Sequence, residues 1–236
     1  MLKVEFYKLL HSKNIFYIYL LVLLGAIYLG INLSNPKYAD LIGLNINSSI
    51  EVTMLGNIFF ESTTLFLTYF AIICALIINK DYSNNIFKVF IGTGINRKNI
   101  LISKYIISMI ICLSLIYLNG IISLSIINFR MHLNINFSLI KQILLYIFPY
   151  SAIISIIILI SISSQSTIKS IIFNIILQIF LILTSEKLPL KIHPFDMLIS
   201  ITNNDVTNTK YIIIFSLIIS FISFTISYYI FKKQEL

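Results

Sequence analysis

Six long, predominantly apolar runs, at 15–33, 58–78, 100–127, 143–162, 168–184 and 211–231, dictate what this chain can become. About 20 apolar residues in a helix cross the roughly 30 Å hydrocarbon layer of a bilayer, and lipid offers no partner to free backbone groups, so each run is read as a transmembrane helix. A water-soluble fold is excluded. Of the 236 residues 58% are hydrophobic and only 11% charged, and the mean hydropathy is +0.95, more apolar surface than one core of this size could enclose. The third run is longer than a span needs and is expected to tilt or to project beyond the membrane. The fourth carries Pro149, whose missing N–H predicts a kink. The first run follows Lys3, Lys8 and Lys13, as a signal peptide would, but it is too long and lacks a small-x-small cleavage site, so it is read as a retained span.

Outside the runs, charge sets the orientation. With both termini cytoplasmic, the inner segments hold 11 of the 17 Lys and Arg (Lys3, Lys8, Lys13, Lys80, Lys88, Arg97, Lys98, Lys104, Lys169, Lys232 and Lys233), the excess expected on the inner side of a cell membrane. Ahead of the first span, Leu2, Phe6, Leu9 and Leu10 fall at helical spacing with Lys3 and Lys8 off that stripe, which predicts an interfacial helix over 1–14. The whole chain, 1–236, is therefore read as one all-α transmembrane domain. Between the last two spans, the segment 185–210 contains Pro189, Pro194, Phe195, Met197 and Leu198, apolar enough to dip back into the outer interface.

The largest inner loop, 79–99, lies within NKDYSNNIFKVFIGTGINRKNILISK (79–104). Tyr82, Ile86 and Val89 or Phe90 share one helical face, and Asp81 near the start and Lys88 near the end suit the helix dipole, so one amphipathic helix from Asp81 to Phe90 is expected along the membrane surface. Gly92, Thr93 and Gly94 then break the helix before Arg97 and Lys98. Topological anchoring by positive charge accounts for the lysines. It requires no aromatic stripe of fixed phase, whereas a handle for a soluble partner would use one.

Six spans, an N-terminal interfacial helix and a loop carrying Asp81, Tyr82, Asn84, Asn85, Lys88, Gly92, Gly94, Arg97 and Lys104 resemble the membrane subunit of ABC-2 type ATP-binding-cassette transporters, over nearly the whole chain. The chain departs from that pattern at Asn84 and Asn85, where such proteins frequently carry Gly-Thr. The resemblance implies that the loop is a coupling helix seated in a groove of an ATPase, with Asp81, Tyr82, Asn84, Asn85, Phe87, Lys88, Phe90, Gly92, Gly94, Arg97 and Lys98 as its coupling residues. It implies two ATPase subunits per complex, which bind the ATP and Mg, and a second permease copy or paralogue. In size the chain is similar to permeases for lantibiotic immunity, bacitracin-type resistance and export of phenol-soluble modulins, so amphipathic peptides are the implied cargo.

No cofactor is expected in the chain itself. No G-x-x-x-x-G-K-[ST] loop occurs, nor H-E-x-x-H, and His11, His132 and His193 are far apart. Cys74 and Cys112 sit in apolar runs, where neither a disulfide nor a zinc site is expected. The net charge of +8 is assigned to anionic membrane lipid rather than to nucleic acid. Within the spans Glu61 is either a contact for a cationic substrate or a shallow, hydrated group. Asn119, Asn174 and Gln178 are read as interhelical bonds or a permeation surface, and Ser216, Ser220, Ser223 and Ser227 as a packing face or a path. A vitamin-capturing subunit or ion-driven carrier would show inverted repeats and midplane charges, and an intramembrane enzyme clustered catalytic groups; neither is visible.

Overall fold

Isoleucine-rich segments are mediocre helix formers in water, yet in lipid a helix is the one local structure that satisfies every backbone group, and each of the six apolar runs contributes a long helical stretch among the described residues. The computed structural model describes residues 2–34, 58–59, 62–131, 137–184, 193–202 and 209–234. In chain order the helices are α1 (Leu2–Leu10), α2 (Lys13–Leu33), α3 (Thr63–Cys74), α4 (Lys80–Ser83), α5 (Ile86–Gly92), α6 (Arg97–Met131), α7 (Phe137–Leu145), α8 (Ile147–Ser164), α9 (Thr167–Thr184), α10 (Pro194–Thr202) and α11 (Thr209–Lys233), with a π-helical turn, Ala75–Asn79, joining α3 to α4. Among the described residues six helical stretches are long and apolar enough to cross a membrane: Lys13–Leu33, Thr63–Ser83, Arg97–Arg130, Ile140–Ser164, Thr167–Thr184 and Thr209–Lys233.

The 35 residues of α6 make a rod of about 50 Å, well beyond the bilayer core. The fourth stretch bends where the sequence demands it: α7 stops at Leu145 and α8 restarts at Ile147, because the ring of Pro149 collides with the carbonyl of residue 145 and has no N–H to give it.

Spans one and three run parallel in a fixed register. The Tyr19 hydroxyl meets Ser114 Oγ at 2.5 Å, Ser123 Oγ donates to the Ala26 carbonyl at 3.0 Å and Arg130 donates to Ser34 Oγ at 3.2 Å, partners separated by 95, 97 and 96 residues. Gly30 permits the approach, since a Cβ there would lie 2.9 Å from Ile126 Cβ. Span six packs along α8, and its Ser216, Ser223 and Ser227 are buried, whereas Ser220 is half-buried. At the centre Phe70, Ile73, Ile77, Tyr150 and Ile154 are fully buried, while Phe129, Ile168 and Phe221 point outward as lipid-facing groups do. Helix α10 folds back onto α8 and α11 through buried Met197 and Leu198. The rest of the outer segment 185–210 apart from 193–202 and 209–210 lies outside the described residues.

Candidate functional site

The loop between spans two and three is two short helices rather than the single one expected from its amphipathic stripe. Asn85 adopts φ 55°, and its N–H bonds the Tyr82 carbonyl at 3.1 Å, ending α4; the carbonyl of the same residue accepts from Lys88 and Val89 to begin α5. Asparagine is among the few non-glycine residues that tolerate the left-handed region, so the Asn84–Asn85 pair makes a hinge between helices. At the other end Gly94 (φ 84°) is the residue past the cap: its N–H bonds Ile91 at 3.0 Å and the Ile95 N–H reaches back to Phe90 at 3.1 Å. This is the paired-bond stop that glycine favours. Gly92, expected to share in the break, is instead the last residue of α5, and a side chain there would meet nothing within 4 Å.

Behind the loop lies a feature that sequence reading missed: a buried ion cluster. Lys104 Nζ, seven residues beyond the start of α6, donates to Glu5 Oε2 at 2.6 Å, to Asp81 Oδ2 and to the Ile77 carbonyl at 3.1 Å, and Lys8 completes the group on Asp81 Oδ1. Two cations and two carboxylates balance. The side chains of Lys104, Glu5 and Asp81 are 3%, 2% and 1% exposed, whereas Lys8 is 42% exposed. The Ile77 carbonyl that accepts from the lysine lies in the π-turn, a type of bulge that often marks a functional site. In α1 the buried face is thus Glu5 and Leu9; Leu2 and Phe6, part of the expected apolar stripe, stay exposed. Glu5 had no signal of its own, since a single acid among lysines reads as a solvated charge.

A second set of contacts ties the loop to the last span. Phe87, 2% exposed, packs edge-on against Tyr82 and Phe231 with ring centroids 4.6 and 5.4 Å away. The Tyr82 hydroxyl donates to Gln234 at 2.5 Å, and Gln234 donates to the Ile162 carbonyl at 3.0 Å. Arg97 caps α11 with NH1 directed at the carbonyls of Phe231, Lys232 and Gln234 at 3.4, 3.0 and 2.8 Å. Asn79 donates to Ser166 O at 3.1 Å and holds the α8–α9 turn, where Gln165 has φ 52°.

The loop residues singled out from sequence therefore divide. Asp81 and Phe87 are buried anchors, Tyr82, Phe90 and Arg97 are half-buried, and Asn84, Asn85, Lys88, Gly92, Gly94 and Lys98 are exposed. Exposed Val89, at 62%, puts an apolar side chain on the same surface.

The residues considered for a substrate path are not brought together. Asn119 donates to the Ile58 carbonyl at 3.5 Å, Gln178 bridges to α3 through Thr64 O (2.8 Å) and Thr68 (3.3 Å), and Asn174 Nδ2 meets Ser170 Oγ at 3.4 Å within α9. The Ser220 carbonyl accepts from Tyr105 at 3.4 Å and Ser223 O from Ser227 at 2.7 Å. Two of the groups keep unused capacity, Asn174 Oδ1 and Ser220 Oγ. Glu61 lies outside the described residues.

A family model described as ABC-2 family transporter protein matches residues 1–181. No curated protein and no solved structure matches. The matched stretch takes in α1, the π-turn, both loop helices and all of α6, so it contains every member of the ion cluster, and it runs on through α8 into α9. The chain belongs to the ABC-2 family of transporter proteins, and is a multi-pass membrane permease component of an ABC transporter, a family that works with ABC ATPase components.

Proposed function

We propose that the chain is the permease of an ATP-driven exporter for amphipathic or antimicrobial peptides, or for immunity to them, in the plasma membrane with both termini and the loop 79–99 in the cytoplasm. Two ATPase subunits, holding ATP and Mg, and a second permease copy or paralogue complete the complex. The observation that carries the coupling role is the two-sided loop. One side is locked into the bundle by Asp81, Phe87 and Arg97, while the other offers Asn84, Asn85, Lys88 and Val89 to a partner. Topological anchoring needs no apolar Val89 in water and no anchored reverse side. ATP-driven closure of the ATPase pair pushes on this surface, and an amphipathic peptide, which prefers the lipid boundary, gains lateral access from the inner leaflet.

The test is co-purification of the permease with the ATPase of the same transporter, followed by ATP hydrolysis in lipid nanodiscs with candidate peptides. Lys88→Asp/Val89→Asp is expected to abolish capture and peptide-stimulated hydrolysis while leaving the unfolding midpoint unchanged. Capture at the parent level by that variant would overturn the coupling role; hydrolysis indifferent to every amphipathic peptide would overturn the cargo.

A further inference from the structure

The elbow between α1 and α2 encloses a basic recess that the coupling role does not use. It has a volume of about 430 Å³ and is walled by Lys8, Lys13 and Lys80 above apolar Leu9, Ile15 and Leu76. Its charge is unbalanced. Glu5 and Asp81 are committed to Lys104 and Lys8, and exposed Lys13 and Lys80 have no acidic partner among the described residues. The first turn of α2 adds the positive end of its dipole, because Ser12 makes no side-chain cap.

The recess is not isolated. A neighbouring hollow of about 320 Å³ shares His11, Ser12 and Lys13 with it and continues to Phe16. Phe16 in turn borders a third, of about 380 Å³, between α1, α2 and the Ile110–Ile111 face of α6. The polar side chains of that last trough, Tyr19 and Ser114, bond each other at 2.5 Å and leave it apolar. A cationic mouth at the end of the spans thus leads around one elbow into an oily groove on their flank. A free anion would use only the first part of this path, and an uncharged lipid only the last.

We propose that the elbow binds an anionic phospholipid, its phosphate against Lys13 and Lys80 and one acyl chain laid along Phe16 and Ile110. Basic pockets between helices at a membrane surface suit such headgroups, and each lysine near the surface is worth about 1 kcal/mol. The site does not depend on the identity of the cargo or on an ATPase. It would instead hold the α1–α2 elbow against α6 in membranes rich in anionic lipid.

Native mass spectrometry of the full chain in detergent, titrated with dioleoylphosphatidylglycerol or dioleoylphosphatidylcholine, tests it. The anionic lipid is expected to stay bound where the zwitterionic one dissociates. Lys13→Gln/Lys80→Gln should weaken it about 30-fold, the factor that two such lysines give at 1.4 kcal/mol per tenfold. Lys13→Arg/Lys80→Arg should retain it, as should Lys232→Gln/Lys233→Gln, which removes two exposed charges outside the recess. Circular dichroism of each variant confirms helicity. Equal retention of both lipids, equal weakening by the two Gln pairs, or displacement of the lipid by an equal concentration of glycerol 3-phosphate would each overturn the proposal.

Discussion

Lys104→Met removes the shared cation of the buried cluster and leaves its two carboxylates unequally served. Asp81 keeps Lys8, but Glu5, at 2% side-chain exposure, has no other basic partner among the described residues. Stranding a buried charge costs about 3–5 kcal/mol, whereas replacing the whole pair by groups of similar volume is often close to neutral. For a chain of this size each kcal/mol moves the unfolding midpoint by about 2–4 °C, so a fall of about 6–20 °C is expected. Cys74 and Cys112 supply the assay. Both thiols are free and buried, so a thiol-reactive fluorophore reports their exposure as the bundle opens. Adding Glu5→Gln to Lys104→Met removes the stranded carboxylate and should recover more than half of the loss, a non-additivity confined to groups in contact. Lys8→Gln, which removes a 42% exposed partner, should cost no more than about 1 kcal/mol. A midpoint for Lys104→Met within about 2 °C of the parent, or a double variant as unstable as the sum of the singles, would refute the account of Lys104 as the cation the cluster depends on.

Gly120→Ala would place a Cβ 2.3 Å from the ring of Phe59, which is 1% exposed and stacked on Tyr146, and should cost about 1–3 kcal/mol in the same thiol assay; Gly25→Ala, with nothing within 4 Å, should be neutral or slightly stabilising. Arg97→Ala leaves the end of α11 uncapped, and amide exchange over 228–234 should accelerate about tenfold or more, from the loss of about 1.5 kcal/mol or more in charge-assisted bonds. His193 accepts the Phe195 N–H on Nδ1 (3.3 Å) and bonds Thr184 through Nε2 (3.2 Å), an arrangement that needs the neutral ring; burial pulls its pKa below the ordinary histidine value, against the opposing charge of Asp196. Because the folded value is the lower one, this contribution to docking α10 is complete above the unfolded pKa and is lost as pH falls through the folded one. Amide exchange over 194–202 should therefore rise on acidification from pH about 7.5 to about 5, and His193→Gln should flatten that step.

The spans were legible because length and hydropathy alone decide them, and Pro149 marked the bend at Tyr146 because its ring geometry is local. The loop was legible only in part. Its apolar phase located a helix, but the left-handed Asn85 is set by what holds the two sides of the hinge, Asp81 beneath one helix and Phe87 beneath the other, and neither contact is written in local spacing. Of the two glycines, only Gly94 sits where backbone geometry requires one. The ion cluster was hidden more deeply. Glu5 and Lys104 are 99 residues apart, and a lysine just inside an apolar run reads as a charge snorkelling to the surface until the structure shows it 3% exposed. Asn119, Asn174, Gln178 and Ser220 lie within apolar runs, but which group each one meets depends on tertiary packing that hydropathy does not carry.

The two sets of anchors behind the loop reach different helices, and Lys104, 5.8 Å over the Phe87 ring, touches both sets. Asp81 reaches α1 and α6, and α6 is held to α2 by a register of bonds along the full height of span one. Tyr82, Phe87 and Arg97 reach α11 and, through Gln234, α8, a pair that forms the most extensive helix packing among the described residues. The Asn84–Asn85 hinge separates Asp81 and Tyr82, in α4, from Phe87, in α5. A displacement of α5 alone would therefore act first on α11 through Phe87, while the hinge and the Asp81–Lys104 contact keep α4 against α6. Stiffening the hinge would couple α4 and α5 to one motion. The buried charges suit the fixed side of such a joint, since an ion pair desolvated to this degree is expensive to slide, whereas the aromatic packing of Tyr82, Phe87 and Phe231 can shift without stranding a charge.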